Sequence, residues 1–224
     1  MTRIWMIVTF AALLLTSCKN MNKTQKGAVI GTAGGAAMGA VVGRAAGNTA
    51  MGTIIGAAVG GTAGVIIGRQ MDKQAEEIRR TVPNAKVERV GEGIDIEFES
   101  KVLFDFNRWD LKEASRRSLT DLASILNKYP DTNIEIQGHT DNIGSAAAND
   151  RISLRRATAV RDFLVQQGVA ASRMTVKGMG KNFPKYSNDT EEGRAQNRRV
   201  EFLITANEKM RSDAEKEASG NNNR

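Results

Sequence analysis

The 224 residues carry 32 Lys and Arg against 25 Asp and Glu, a formal charge of +7 at pH 7, with aromatics at only 5%. A basic balance admits nucleic acid, anionic lipid or another polyanion as partner, but interspersed acids and sparse aromatics leave out the basic-and-aromatic patch of nucleic-acid binders. The single cysteine, Cys18, excludes an intramolecular disulfide and any multi-cysteine metal site.

Along the chain, Arg3 precedes an apolar run from Ile4 to Leu15. That run is too short to span a bilayer but suits a signal sequence. It closes on Leu15-Thr16-Ser17-Cys18, which resembles the bacterial lipobox. The resemblance implies a leader over 1–17 and acyl chains, palmitate among them, on Cys18. Several chains together hold a protein to a membrane where one is marginal. Lys19, where the sorting pattern would place Asp for inner-membrane retention, implies an outer-membrane lipoprotein with its bulk in the periplasm. Residues 18–26 read as a lipidated tether.

Glycine then recurs at every fourth position from Gly27 to Gly47 and, after a phase break at Asn48, from Gly52 to Gly68. Such spacing strips one helix face to bare backbone, which lets a second helix approach closely. Each glycine costs a helix in water roughly 1 kcal/mol, whereas in a bilayer the unsatisfied backbone is worse. The pattern predicts helices over about 28–43 and 50–68, roughly 25–28 Å long, forming a membrane-associated hairpin over 27–68 able to drive homo-oligomerisation. A flexible Gly/Ala linker is the competing reading. With no Asp or Glu between Gly27 and Gly68, a proton relay lacks its carboxylate. The segment resembles the glycine-zipper regions of bacterial envelope lipoproteins.

"RQMDKQAEEIRRT" (Arg69 to Thr81) reads as a solvated helix in a spacer over 69–93. Beyond it the patterning is that of a globular domain over 94–206. "KVERVGEGIDIEFES" alternates around a Gly-Glu-Gly turn, "VLFDF" (Val102 to Phe106) reads as a strand, and Leu119, Leu122, Ala123 and Leu126 mark a helix. "NIEIQGH" alternates again, with Ile134 and Ile136 on one face and Gln137 and His139 on the other. A helix from about Asn149 to Gln167 ends at Gly168, and strands follow over Arg173 to Gly180 and Asn197 to Ala206. The order βαβαββ predicts an α+β sandwich with helices on one face of a mixed sheet. Residues 207–224 look charged and disordered.

On the 149–167 helix, Ile152, Ala157, Val160, Phe163 and Leu164 share an arc of roughly 140°. Arg156 falls inside that arc, and Asn149 projects nearly the same way. A charge there is costly unless paired or open to a cleft. Asp141, just beyond "NIEIQGH", is the acid placed to meet it. The two allow either a cradle for a zwitterion, with ammonium on Asp141 and carboxylate on Arg156, or a buried structural ion pair. The helix N-terminus would add backbone amides.

"GHTDNIGSAAANDRISLRRA", with "VLFDFN" upstream and "GRAQNRRVEF" downstream, resembles the OmpA-like C-terminal peptidoglycan-binding domain. The resemblance implies that Asp141 and Arg156 hold the diaminopimelate of the peptidoglycan stem peptide, with contributions from Asn107, Asn149 and the backbone around Asp105 and Phe106. The "NRRVEF" arginines read as stabilising the last strand and its loop rather than contacting ligand. No cofactor is implied. His139 and Asp141, two apart on an extended chain, project alongside each other and do not form a relay, and one histidine with scattered acids makes a poor zinc site. The function expected is a non-enzymatic tether between outer membrane and cell wall. The alternative is an envelope machine that oligomerises through the zipper and uses wall binding only for position.

Overall fold

The computed structural model describes residues 59–221. The leader, Cys18, the tether, the first zipper helix and the start of the second lie outside the described residues.

Twelve segments follow in order: α1 (Gly61–Thr81), β1 (Lys86–Val90), β2 (Gly93–Glu99), the short turn α2 (Ser100–Leu103), α3 (Glu113–Lys128), β3 (Thr132–His139), α4 (Ala146–Gln166), a 3-10 turn (Ala171–Arg173), β4 (Met174–Gly180), α5 (Glu191–Asn197), β5 (Arg199–Ala206) and α6 (Glu208–Asn221). The strands form one sheet in the order β1-β2-β5-β3-β4, with β3–β4 parallel and the other pairs antiparallel. From β2 onward this is the expected βαβαββ sandwich on a mixed sheet, with β1 added at the edge.

Strand alternation sorts the residues between two faces. Ile94, Ile96 and Phe98 of β2 lie level with Ile204, Phe202 and Val200 of β5, and Ile134 and Ile136 of β3 continue the layer. These side chains are buried under α1, α3 and α4 in one core. At roughly 1.5–3 kcal/mol per fully buried aliphatic or aromatic side chain, this layer dominates stability. The opposite face carries Asp95, Glu97, Gln137, His139, Arg199 and Glu201, and these are buried too. The segment through Phe183, Lys185 and Tyr186 covers them.

Glycines let α4 sit close on the sheet. A Cβ at Gly138 would collide with the Ser153 carbonyl, and one at Gly178 would come within 2.9 Å of the Asp150 carbonyl. Ser145 caps the helix, its Oγ accepting from Ala148 N at 3.2 Å, so α4 begins three residues before Asn149. Gly168, at φ 88°, ends it as expected.

Three expectations need correction. "VLFDF" is not a strand: Val102 belongs to α2 and only Phe104 pairs, in a single bridge to Leu111. The spacer helix is not solvated all round, because Ile67, Met71, Ala75 and Ile78 are completely buried against the core. α1 starts at Gly61 and crosses the 68/69 boundary without a break. The C-terminal segment is helical through Asn221, with Met210 and Ala214 buried and α6 lying along α1. The packed body therefore extends beyond 94–206 on both sides.

Candidate functional site

The exit of β3, the first turns of α4 and the loop before β5 meet in one polar cluster, at the place where the sequence predicts a ligand cleft. Asp141 lies two residues past the end of β3 and is 8% exposed. Its Oδ1 accepts from Ile143 N at 3.0 Å, a tight local turn. Asn149, in the first turns of α4, donates from Nδ2 to Ile143 O at 2.9 Å. Asp141 and Asn149 thus grip the same residue from opposite sides and fix the loop between strand and helix. Ser145 satisfies its own helix end, which reduces the free amides the N-terminus was expected to offer.

Arg156 is 6% exposed, on the apolar side of α4 as its position in the arc requires. Its guanidinium lies over the Phe104 ring, 5.3 Å from the centroid, and Nε donates to Arg108 O at 3.0 Å. Among the described residues no protein acceptor takes its terminal nitrogens. Burial first, and then the nearby Arg198, depress its basicity, while Asp141 works the other way.

The structure does not pair Asp141 with Arg156. The ion pair of Asp141 is with Arg198, whose Nη1 donates to Oδ2 at 2.6 Å. Arg198 also donates from Nη2 to Glu191 Oε1 at 2.8 Å. The sequence places the "NRRVEF" arginines in the last strand and its loop, and the structure has Arg199 in β5 and Arg198 in the loop before it, with Arg198 turned to Asp141. The missed signal was alternation: neighbouring residues of an extended chain point to opposite faces.

The Asp105–Asn107 turn forms the rim. Asn107 adopts φ 56°, a left-handed conformation that asparagine tolerates, and Arg108 N donates to Asp105 O at 3.0 Å. Asp105 is exposed and faces Lys112 at 3.3 Å, and Phe106 is 97% exposed. Arg156 ties this turn to α4 through the Arg108 carbonyl. Trp109 beside it stacks under Arg155 at 4.4 Å.

His139 lies elsewhere, 1% exposed on the covered face of the sheet, with Nε2 3.3 Å from Gln137 Oε1. Burial, then the charge of Arg199, push it down to about 3 despite Glu201 at 3.7 Å, so it is neutral at pH 7. It therefore has no contact with solvent or with Asp141's cleft. Among the described residues there is no cluster of three or more metal-ligating side chains, and no helix is long and apolar enough to cross a membrane.

Chemically, the cleft offers one carboxylate, two guanidinium groups and an aromatic rim. The OmpA family model matches residues 103–198, and a YMGG-like Gly-zipper model matches 1–72. The Probable lipoprotein YiaD of Escherichia coli is 38% identical over 141 residues, covering 62% of this chain and 64% of its own, so the chain spans less than two thirds of that relative. The Outer-membrane lipoprotein YfiB of Pseudomonas aeruginosa is 36% identical over 115 residues, 51% of this chain and 68% of its own. Among solved structures, the cell wall anchor of the T6SS from Pseudomonas aeruginosa superposes with a TM-score of 0.53 at 27% identity, covering 61% of this chain and 96% of that one. The shared span begins at the residue before Phe104 and closes on Arg198, so it holds the whole cleft, and the chain belongs to the OmpA family.

Proposed function

We propose that this protein is an outer-membrane lipoprotein that binds peptidoglycan without covalent bonds, tethering membrane to cell wall. The ligand group is the diaminopimelate of the stem peptide: Asp141 receives its ammonium and Arg156 its carboxylate, with Asn149 holding the loop and the Asp105–Asn107 turn forming the wall. The observation that carries this reading is Arg156. A guanidinium at 6% exposure, with its terminal nitrogens unmatched by protein acceptors among the described residues, is a poor structural element and a good carboxylate receptor. A planar fork of donors suits a carboxylate better than a lysine would. The names of the relatives, two lipoproteins and a cell wall anchor, support the compartment and the partner.

In this arrangement residues 1–17 are removed, Cys18 carries the lipid, and the glycine-rich stretch over 27–68 lies at the membrane. The protein is a binding module and not a catalyst; its one histidine is buried and neutral on the covered face of the sheet. One observation also favours an assembly role. The last zipper glycines, Gly64 and Gly68, sit within α1, and Glu92 of the β1–β2 turn accepts from Val59 N at 2.6 Å and Gly60 N at 2.8 Å. The zipper segment therefore enters the wall-binding body through a fixed joint, and displacement of one would be felt by the other.

Co-sedimentation of the full-length protein with purified peptidoglycan tests the main reading. Asp141→Ala and Arg156→Ala should each leave the protein in the supernatant while its circular dichroism stays native. Sedimentation equal to the unaltered protein in both variants would remove the site assignment.

A further inference from the structure

Asp141 is proposed to receive an ammonium, yet its Oδ2 already carries a cation. Arg198 Nη1 sits 2.6 Å from it, a short charge-assisted bond. The other end of the same guanidinium rests on Glu191, whose side chain is 64% exposed. Arg198 thus spans a buried acid on one side and a solvated acid on the other, and its own side chain is 34% exposed. Burial disfavours its charge, but the hydrogen bonds to Asp141 and Glu191 more than compensate and hold it above the ordinary guanidinium range.

The backbone beneath it has no such freedom. Arg198 N donates to Arg194 O at 3.0 Å and its carbonyl accepts from Ser100 N at 2.6 Å. Arg199, next along, is locked to Glu201 and to the carbonyls of Asn197 and Phe183. Asn197, before it, is fully buried and binds Lys185 N, Tyr186 N and Tyr186 O. Any movement at position 198 is therefore confined to the side chain.

We propose that Arg198 is an exchangeable counter-ion that makes the cleft selective for a zwitterion over a plain amine. It neutralises Asp141 in the free protein. When the ligand's ammonium takes Asp141, the freed Nη1 turns to the ligand's carboxylate beside Arg156, and Nη2 keeps its hold on Glu191. An amine without a carboxylate must displace Arg198 and then lie next to two guanidinium groups with nothing to offer them. Like charges brought together in a partly desolvated cleft repel strongly, so amines are rejected. An amino acid group exchanges one ionic partner for another. The inference rests on the reading of the cleft as an amino acid receptor and adds to it the origin of its selectivity.

The test is calorimetric titration of the full-length protein with meso-diaminopimelate and with 1,5-diaminopentane, the same diamine without carboxylates. The unaltered protein should bind the first and bind the second at least about tenfold more weakly. Arg198→Gln should bind diaminopentane more tightly than the unaltered protein and diaminopimelate more weakly, so that the preference collapses. Arg198→Lys, which keeps the charge but not the fork, should retain most of the discrimination against the diamine. A preference unchanged within twofold in Arg198→Gln, or a uniform loss of both ligands, would overturn the proposal. Asp141→Asn and Arg156→Gln separate the two levels. If either still binds diaminopimelate normally, the receptor reading fails and Arg198's role falls with it. If both lose it while Arg198→Gln keeps its preference, only the exchange is wrong.

Discussion

Two ionic clusters lie on opposite faces of the same sheet, and they are built to different ends. On the covered face, Lys185 Nζ reaches Asp95 and Glu97 at 3.0 Å each and Glu201 at 2.9 Å, while Arg199 Nε holds Glu201 at 2.7 Å. Each charge there has an ionic partner and almost none is exposed, although Asp95 Oδ1 and Glu201 Oε2 accept no hydrogen bond from the described residues. On the other side, Asp141 and Arg156 are equally buried, yet they do not pair with each other, and among the described residues no protein acceptor takes the terminal nitrogens of Arg156. The first cluster fastens the segment through Lys185 to the sheet. The second holds Asp141 only through the partly exposed Arg198 and leaves Arg156 without an opposite charge among the described residues. Burial alone does not separate structural from functional ions; the difference lies in Arg156, a buried cation that meets no carboxylate among the described residues.

The closed cluster has three carboxylates for two cations, and the strain of that imbalance appears in its acidities. Burial, then the charge of Glu201, push Asp95 up to about 6. Burial would raise Glu201 as well, but Arg199 and Lys185 hold it down to about 2. Lys185, in spite of burial, is raised by the three acids around it.

Removing a partner from the closed cluster should produce the largest effect. Arg199→Ala leaves Glu201 buried without its closest cation, and the cost expected from breaking such a pair is about 3–5 kcal/mol in denaturant unfolding. The matching change in the open cluster should behave in the opposite way. Arg156→Leu removes an incompletely paired buried charge, so stability should stay within about 1 kcal/mol of the unaltered protein or rise, while peptidoglycan binding disappears. Equal losses of stability for the two substitutions would erase the distinction between the clusters.

Protons sharpen the contrast further. Asp95 titrates higher folded than unfolded, so it favours the folded state as pH falls from 6 towards 4. His139, held down to about 3, is protonated only on unfolding, so it disfavours the folded state as pH falls from 6.5. The two oppose each other, and unfolding free energy should change little between pH 6.5 and 5. Asp95→Asn should expose the histidine slope, a loss of about 1–2 kcal/mol over that interval, and His139→Gln the reverse slope, a gain of about 1 kcal/mol. Urea unfolding at the two pH values reads both signs. The smallest effect belongs to the cap beneath the open site. Ser145→Ala should cost about 1 kcal/mol or less and weaken peptidoglycan binding only a few fold, by loosening the loop that Asn149 and Asp141 grip.

Much of this was legible in the residue pattern. Leu119, Leu122 and Leu126 on one face of α3, the alternation of β3 and the lone arginine in the apolar arc of α4 all follow from local periodicity, and the last leads directly to Arg156. What escaped depends on contacts far apart in sequence. Ile67, Met71, Ala75 and Ile78 form a stripe, but it lies among so many charges that the helix looked solvated until the sheet was there to receive it. Met210 and Ala214 needed α1 as a partner before a charged tail became a helix. Phe104 and Leu111 pair across a turn too short to read as sheet. Arg198 meets Asp141 across 57 positions, and only the placement of β5 beside β3 brings them together. The family motif pointed to the cleft, yet the ion occupying Asp141 was visible only in three dimensions.

The most direct test of the central claim is a titration of full-length protein with a diaminopimelate-bearing stem peptide, run on the unaltered protein and on Arg156→Leu. An open ionic site predicts saturable binding by the first and none by the second, with both equally stable to denaturant. Equal binding by the two, or a loss of binding matched by a loss of folding, would contradict it.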